Sequence, residues 1–467
     1  MSPTERAWSG RRLHFVGVGG AGMSAYARAA RALGAQVSGS DAAESAYTRA
    51  LAADGVLDAH IGHAAENVPA GDEVELVYSS AVARENAERA AARERGLSER
   101  PRAELLRELS SLRRTIAVAG THGKTTTASM LVYALRGAGM DPGWLVGGSI
   151  GAGEANAGWR DGEWLVVEAD ESDRSMLRID AEIAVLTNVE LDHHATFSSL
   201  GELREAFAAF LAGARRAVVV WDRPELLALL DGGDEGAEER VERGAGREIV
   251  RFDAPDPELD AAGARFRWHG DTVSLAVPGA HNALDAAAAL EAAWLAGADE
   301  RAAIAGLAGF RGAGRRFQLI GETPAGALVY DDYAHHPTEV AATLAAARTL
   351  GPTRLVAVFQ PHLYSRTRLL CREFGRALAT ADVVVALDVY AARERAEDHP
   401  GVSGLCIAEA AADAAHGRPV YWLPGFQAAE SVLGDVLQAG DVCVVMGAGD
   451  VDELARALTG AGRSVCG

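Results

Sequence analysis

The sequence predicts an α/β protein built on three mostly parallel sheets, and three observations carry that prediction. The 467 residues correspond to about three domains of ordinary size. Short apolar runs alternate with Ala- and Leu-rich stretches of helical length, the rhythm of strand–helix–strand units. Glycine-rich loops fall where apolar strands run into helices, at 17–22 and 120–123.

In chain order, RLHFV (12–16) reads as a strand entering GVGGAGMS, and a helix follows from Ser24 to Leu33. AQVSGSD (35–41) is a second strand, 44–54 a helix, LVYSSAV (76–82) a third strand and 84–95 a helix. The pattern restarts after Ser110. TIAVAG (115–120) enters a Gly/Thr loop and another helix, and WLVVEAD (164–170) and IAVLTNV (183–189) are apolar enough to be buried on both faces of a parallel sheet. Residues 231–248 are polar and glycine-rich, an exposed excursion without chemistry. From Val273 a turn leads into one long helix. The last unit carries strands at 328–332, 354–360, 383–389 and 442–449. Domains are therefore expected at 1–108, 109–314 and 315–467.

Composition narrows the function. The net charge is −20, which argues against broad binding to nucleic acid or an anionic membrane but not against a local anion site. No run of apolar residues reaches membrane-span length, and MSPTERAWSG lacks a signal-peptide core, so a cytoplasmic protein is expected. Cys371, Cys406, Cys443 and Cys466 show no CxxC spacing, which argues against structural zinc or a disulfide framework. Of the 45 basic residues 44 are Arg, and the only lysine is Lys124. Position 124 thus calls for a compact ammonium rather than a planar guanidinium.

Three motif groups carry chemistry. Gly17, Gly19 and Gly22 form GxGxxG between strand and helix, with Asp41 ending the next strand. That pattern suits NAD, another nucleotide diphosphate such as a UDP-sugar, or a purely structural turn. GTHGKTTT (120–127) resembles a phosphate loop, shortened to two residues between Gly120 and Gly123. Its main-chain amides and Lys124 suit ATP phosphates, and the Thr125 hydroxyl suits Mg²⁺. The strand ends EADESD (168–173) and TNVELDHH (187–194) would meet it. There Glu168 would join Thr125 on one ion and His193 could complete a second site. Asp173 and Asp192 read equally well as helix caps or solvated loop residues, and His194 as a neighbour. Asn282 either reads an adenine edge or caps its helix. In the third unit, RRF (315–317), DDYAHHP (331–337) and FQPHLYSRTR (359–368) bring Asp332, Tyr333, His335, His362 and Arg366 to strand ends, a cluster suited to a small amino acid.

Together GVGGAGMS, SGSD, PRAELL, AGTHGKTTT, EADESD, TNVELDH, the HN at 281–282, RRF, DDYAHHP and FQPH, in this order, resemble the Mur ligase family along nearly the whole chain. The resemblance implies a Rossmann-like N-terminal domain, a central P-loop-type parallel sheet and a Rossmann-like C-terminal domain. It is nearest to members that join L-alanine to the lactyl carboxylate of UDP-N-acetylmuramate through an acyl phosphate, in peptidoglycan precursor synthesis. Ser172 follows those members, whereas the related murein tripeptide ligases tend to carry Tyr there. The implied cofactors are ATP and two Mg²⁺ ions. The implied catalytic residues are Lys124, Glu168 and His193, with Thr125, Glu168 and His193 on the metals. ATP falls to Gly120, Thr121, His122, Gly123, Lys124, Thr125, Thr126, Asn282, Arg315 and Asp332. The UDP-sugar falls to Gly17, Gly19, Gly20, Gly22, Ser40, Asp41, Ser79 and Ser80. Tyr333, His335, His362 and Arg366 would face L-alanine. Two departures stand out. No second lysine exists to be carbamylated as in several relatives, and Leu363 stands where many members are basic. The competing readings are another amino-acid ligase of this fold and an NAD-dependent dehydrogenase.

Overall fold

The computed structural model describes residues 7–151, 153–194, 196–230 and 246–460. The chain divides into two compact units, residues 1–254 with 284–310, and residues 255–283 with 311–467. Most of the polar excursion, 231–245, lies outside the described residues, as does Cys466.

The first unit holds two sheets. The N-terminal one comprises β1 (Arg12–Val16), β2 (Gln36–Asp41), β3 (His60–Ile61), β4 (Val74–Tyr78) and β5 (Ser98–Pro101). They lie all parallel in the order β3-β2-β1-β4-β5, the doubly wound arrangement expected. Helices α1 (Ala21–Ala32), α2 (Ala46–Ala53), α3 (Ala87–Glu94) and α4 (Arg102–Ser111) connect or follow the strands. Val16 sits level with both Ser40 and Tyr78. The loop leaving β1 therefore opens at the point where strand order reverses, the usual ligand crevice of such sheets.

The second sheet comprises β6 (Arg114–Ala119), β7 (Gly143–Leu145), β8 (Ala157–Gly158), β9 (Trp164–Glu168), β10 (Ile183–Leu186), β11 (Ala217–Trp221) and β12 (Glu248–Phe252). Its order is β12-β11-β10-β6-β9-β7-β8, antiparallel only between β7 and β8. Helices α5 (Lys124–Gly137), α6 (Leu200–Ala212) and α7 (Pro224–Leu227) belong to it. Ala119 pairs with Leu186, and Val118 with Glu168. The loops after β6, β9 and β10 thus leave the sheet side by side. One apolar cluster joins the two sheets: Leu13 and Phe15 of β1, Leu105, Leu106 and Leu109 of α4, and Leu145, Leu165 and Val167 of the second sheet. Each such side chain contributes roughly 1.5–3 kcal/mol on burial.

The second unit contains a meander not expected from the sequence, β13 (Glu258–Asp260), β14 (Gly263–Trp268) and β15 (Asp271–Leu275). His269 and Gly270 turn its second hairpin with φ of 45° and 90°. Both are positive, as a two-residue type I′ turn requires. The long helix is α8 (Ala280–Leu295), which from Leu284 onward belongs to the first unit, as does α9 (Glu300–Leu307). The C-terminal sheet comprises β16 (Gln318–Glu322), β17 (Leu328–Asp332), β18 (Leu355–Phe359), β19 (Val383–Ala386), β20 (Val420–Trp422) and β21 (Val442–Met446). Its order is β16-β17-β21-β18-β19-β20, with only β16 antiparallel. Its helices are α10 (Pro337–Arg348), α11 (Tyr364–Leu378), α12 (Leu405–Ala414), α13 (Phe426–Val436) and α14 (Asp452–Thr459). Met446 ends level with Asp332 on one side and Phe359 on the other. Several strands stop short of their expected ends, β9 at Glu168, β10 at Leu186 and β21 at Met446. The residues that follow leave the ladder as loops. No helix among the described residues is long and apolar enough to cross a membrane.

Candidate active site

Beyond β6 the chain turns through Gly120 and Gly123, with φ of 140° and 80°. A Cβ at Gly120 would overlap the Thr187 hydroxyl, and one at Gly123 the Asp285 carboxylate. Glycine is required at both. Gly123 is the N-cap of α5 and offers no side-chain cap, so the first amides of the helix face outward for an anion. The loop is pinned by the end of β10. Asn188 accepts from the Thr121 amide through its carbonyl at 3.1 Å and from the His122 amide through Oδ1 at 2.9 Å. Thr187 Oγ1 donates to the His122 carbonyl at 2.6 Å.

Lys124 leads α5. Its ammonium donates to the carbonyls of Gly120 (2.6 Å) and Thr121 (3.1 Å) and to Glu171 Oε1 (2.8 Å). Burial opposes that charge, but the carboxylates of Glu171, Glu168 and Asp170 outweigh it and raise its pKa above the ordinary lysine value. Thr125 donates to Glu168 Oε2 at 3.0 Å, and the Gly147 amide donates to the same oxygen at 2.6 Å. His193, held at φ 54°, brings Nε2 within 3.2 Å of Glu171 Oε1. Lys124, Thr125, Glu168 and His193 are therefore brought together as expected. Glu171, which Lys124 and His193 both approach, is not among the residues expected. It is 1% exposed, and its Oε2 has no hydrogen-bond partner. An orphaned buried carboxylate oxygen, on a carboxylate whose other oxygen faces an imidazole, fits a hard divalent cation such as Mg²⁺.

Arg102, from α4, was likewise not singled out. It donates to Asp173 Oδ2 (2.5 Å) and Asp170 Oδ2 (2.6 Å), clamping the loop after β9. Burial works against ionisation of Asp170, and Arg102 prevails, holding its carboxyl far below the usual range. Asp173 is thus an ion-pair partner of Arg102 that also accepts from the Ser175 amide at 3.0 Å, rather than a solvated loop residue. Asp192 is buried and accepts from the His193 amide.

In the first sheet the Gly19 amide donates to Asp41 Oδ2 at 2.7 Å, and Ser45 Oγ donates to the Gly19 carbonyl at 3.0 Å. Gly17 turns with φ 84°, and a Cβ there would meet Ser79 at 3.0 Å. Gly20 precedes α1 as its N-cap, and Ser80 is exposed beyond Ser79. Ser40 departs from expectation. It is fully buried and its hydroxyl donates to Glu88 Oε2 at 2.7 Å, so its side chain is committed inward.

In the second unit, Tyr333 and His335 stand edge to face at 5.5 Å between ring centroids, and His362 lies 6.3 Å from His335. Arg366, 4% exposed, sets Nη1 3.3 Å from His362 Nδ1. The four residues read from the sequence form one cluster. Tyr390, stacked on His362 at 5.7 Å, joins it unforeseen. Leu363 is buried at φ 71°. Arg315 and Asp332 are engaged locally. Arg315 donates to Asp331 Oδ2 and to the carbonyls of Gly447 and Gly449, at 2.9–3.0 Å. Asp332 accepts from the amides of Phe317 and Ala334, each at 2.7 Å. Burial pushes the Asp332 carboxyl up to about 6. Asn282 donates to the Pro278 carbonyl at 2.6 Å, at the start of α8.

Three family models match the chain. They are described as Mur ligase family, catalytic domain, over residues 12–114, Mur ligase middle domain over 118–293, and Mur ligase, glutamate ligase domain, over 315–449. The chain is similar to the UDP-N-acetylmuramate–L-alanine ligase of Thermobifida fusca, 44% identical over 470 residues and 95% of each chain. The ligase of the same name from Rubrobacter xylanophilus is 43% identical over 460 residues, 96% of this chain and 99% of its own. Among solved structures, the UDP-N-acetylmuramate–alanine ligase MurC of Thermotoga maritima superposes with a TM-score of 0.79 at 26% identity, covering 97% of this chain and 99% of that one. A murein peptide ligase from Psychrobacter arcticus gives a TM-score of 0.67 at 25% identity, over 98% and 100% of the two chains.

Proposed function

The chain belongs to the Mur ligase family, and from that premise we propose that it joins L-alanine to the lactyl carboxylate of UDP-N-acetylmuramate, converting ATP to ADP and phosphate, in peptidoglycan precursor synthesis. The observation that carries the reading is the setting of Lys124. The chain's single lysine stands at an uncapped helix start, in a glycine loop, against the acidic end of the neighbouring strand.

A carboxylate is a poor acyl donor because oxide would have to leave. Transfer of the γ-phosphoryl group to it gives an acyl phosphate, which releases phosphate when the alanine amine attacks. Two anions must first approach. The outward amides of α5 and the Lys124 ammonium offset that repulsion and stabilise the transferring charge. Thr125 and Glu168 would hold one magnesium ion and His193 a second. Such ions supply further positive charge at the phosphate oxygens. The Gly17–Gly20 turn engages its own amides, Gly19's with Asp41, and leaves the uncapped start of α1 to offer its first amides to the UDP diphosphate. Tyr333, His335, His362 and Arg366 receive L-alanine, the guanidinium taking its carboxylate.

The direct test is ADP release from ATP with UDP-N-acetylmuramate, with and without L-alanine. Turnover requiring all three supports the reading. Equal turnover without the amino acid, or preference for a tripeptide, contradicts it. Arg366→Ala is expected to raise KM for L-alanine about 10- to 100-fold, the loss of one charge-assisted contact, while KM for ATP stays nearly constant. An unchanged alanine KM would place the carboxylate clamp elsewhere.

A further inference from the structure

Glu171 poses a charge problem. Its carboxylate is 1% exposed, Oε1 lies between Lys124 Nζ (2.8 Å) and His193 Nε2 (3.2 Å), and Oε2 is buried without a partner. The Lys124 ammonium has three donors, and Gly120, Thr121 and Glu171 take all three. It cannot engage a nucleotide phosphate without giving up at least one of them. The bond to Glu171 is the one a second anion competes for most directly, since both draw on the same charge. Once that bond breaks, the buried carboxylate keeps only the His193 imidazole beside Oε1 and has no permanent cation, which is unfavourable unless another cation arrives. The neighbours at hand are an imidazole and the orphaned Oε2, two donors suited to a divalent ion.

From this we infer that Glu171 is an anionic ligand, together with His193, of a divalent cation that takes the place of the Lys124 ammonium when Lys124 turns to the phosphates. The inference rests on the ATP–magnesium reading and adds to it a ligand and an exchange. In the nucleotide-free protein the lysine is a resident substitute for the ion. Nucleotide binding then moves a positive charge out of this position as the divalent ion enters it, so the buried carboxylate is compensated throughout. Without a second lysine in the chain, no carbamylated lysine can supply an extra anion, so any such anion must come from a carboxylate.

The test uses Mn²⁺ as the probe, read by electron paramagnetic resonance and by thermal melting of the full chain. With a non-hydrolysable ATP analogue, the unaltered protein is expected to bind two Mn²⁺. Glu171→Gln is expected to weaken the second about 10- to 100-fold while the first, on Thr125 and Glu168, persists. Lys124→Met supplies the nucleotide-free arm. Removing the ammonium opens the position, so Mn²⁺ alone should bind this variant at one new site and raise its melting temperature. The Lys124→Met/Glu171→Gln double variant should show neither effect. Two equally tight ions in Glu171→Gln, or no gain of Mn²⁺ binding in Lys124→Met, overturns the assignment. Gain of Mn²⁺ binding in Lys124→Met upholds it even if the unaltered protein takes up no nucleotide. That last result would refute the ATP reading alone.

Discussion

Arginine at position 124 is expected to lower the kcat for ADP release about 10²- to 10³-fold, although it preserves the charge. The ammonium fits between the carbonyls of Gly120 and Thr121 and the Glu171 carboxylate as a point donor with three directions. A guanidinium is planar and wider, and its fork cannot meet three acceptors arranged around one nitrogen. It can still neutralise Glu171, so the variant is expected to fold and to melt near the unaltered protein. The loss should fall on kcat more than on the KM for ATP, because charge on the transferring phosphoryl group is greatest in the transition state. Steady-state ADP release with all three substrates, alongside circular dichroism, separates these effects. A near-normal kcat in a folded Lys124→Arg enzyme would remove Lys124 from the chemistry.

What the sequence made legible follows from what is local. Strand-to-helix glycine loops, the isolated lysine and the Tyr333–His335–His362–Arg366 group are local patterns attached to strand ends, and parallel strands deliver their C-terminal ends to one edge. Glu171 escaped notice because EADESD offers four carboxylates in six residues, and only the fold decides which is turned inward. Arg102 and Asp173 are 71 positions apart, a pairing that no local pattern announces. Ser40 was read as facing the ligand, but side chains alternate along a strand. It shares its face with Ser38, which pairs with buried His14, while Asp41 points the other way. That alternation was available in QVSGSD. The meander at 258–275 also left a signal, since RFRW and DTVSL flank a two-residue HG turn. It was obscured because its exposed faces carry charged residues rather than a continuous apolar run.

The second large effect lies away from the chemistry. Glu88→Gln is expected to destabilise the first unit by about 3 kcal/mol, the worth of a carboxyl held at about 2 in the fold against an ordinary 4.5. Glu88 and His14 have fully buried side chains, with Oε2 2.9 Å from His14 Nε2. The same carboxylate accepts from Ser40 Oγ (2.7 Å), Asn67 Nδ2 (2.9 Å) and the Ala64 amide (3.3 Å). It thereby ties β1, β2, α3 and the turn after β3 together. Glutamine would turn an amide NH₂ toward donors at one of these oxygens and leave them unsatisfied. Burial alone would raise the carboxyl pKa, but the hydrogen bonds from His14, Asn67 and Ser40 outweigh it and bring it down to about 2 from an ordinary 4.5. A carboxyl whose pKa is depressed on folding contributes stability that is complete above its unfolded value and disappears as pH falls through its folded one. The gap in stability between the unaltered protein and Glu88→Gln should therefore be constant from neutral pH to about 5 and close toward pH 2. Urea unfolding of both proteins at several pH values measures that gap. A gap that stays open at pH 2, or one that is absent at pH 7, would show that the carboxylate's charge is not what binds these four elements together.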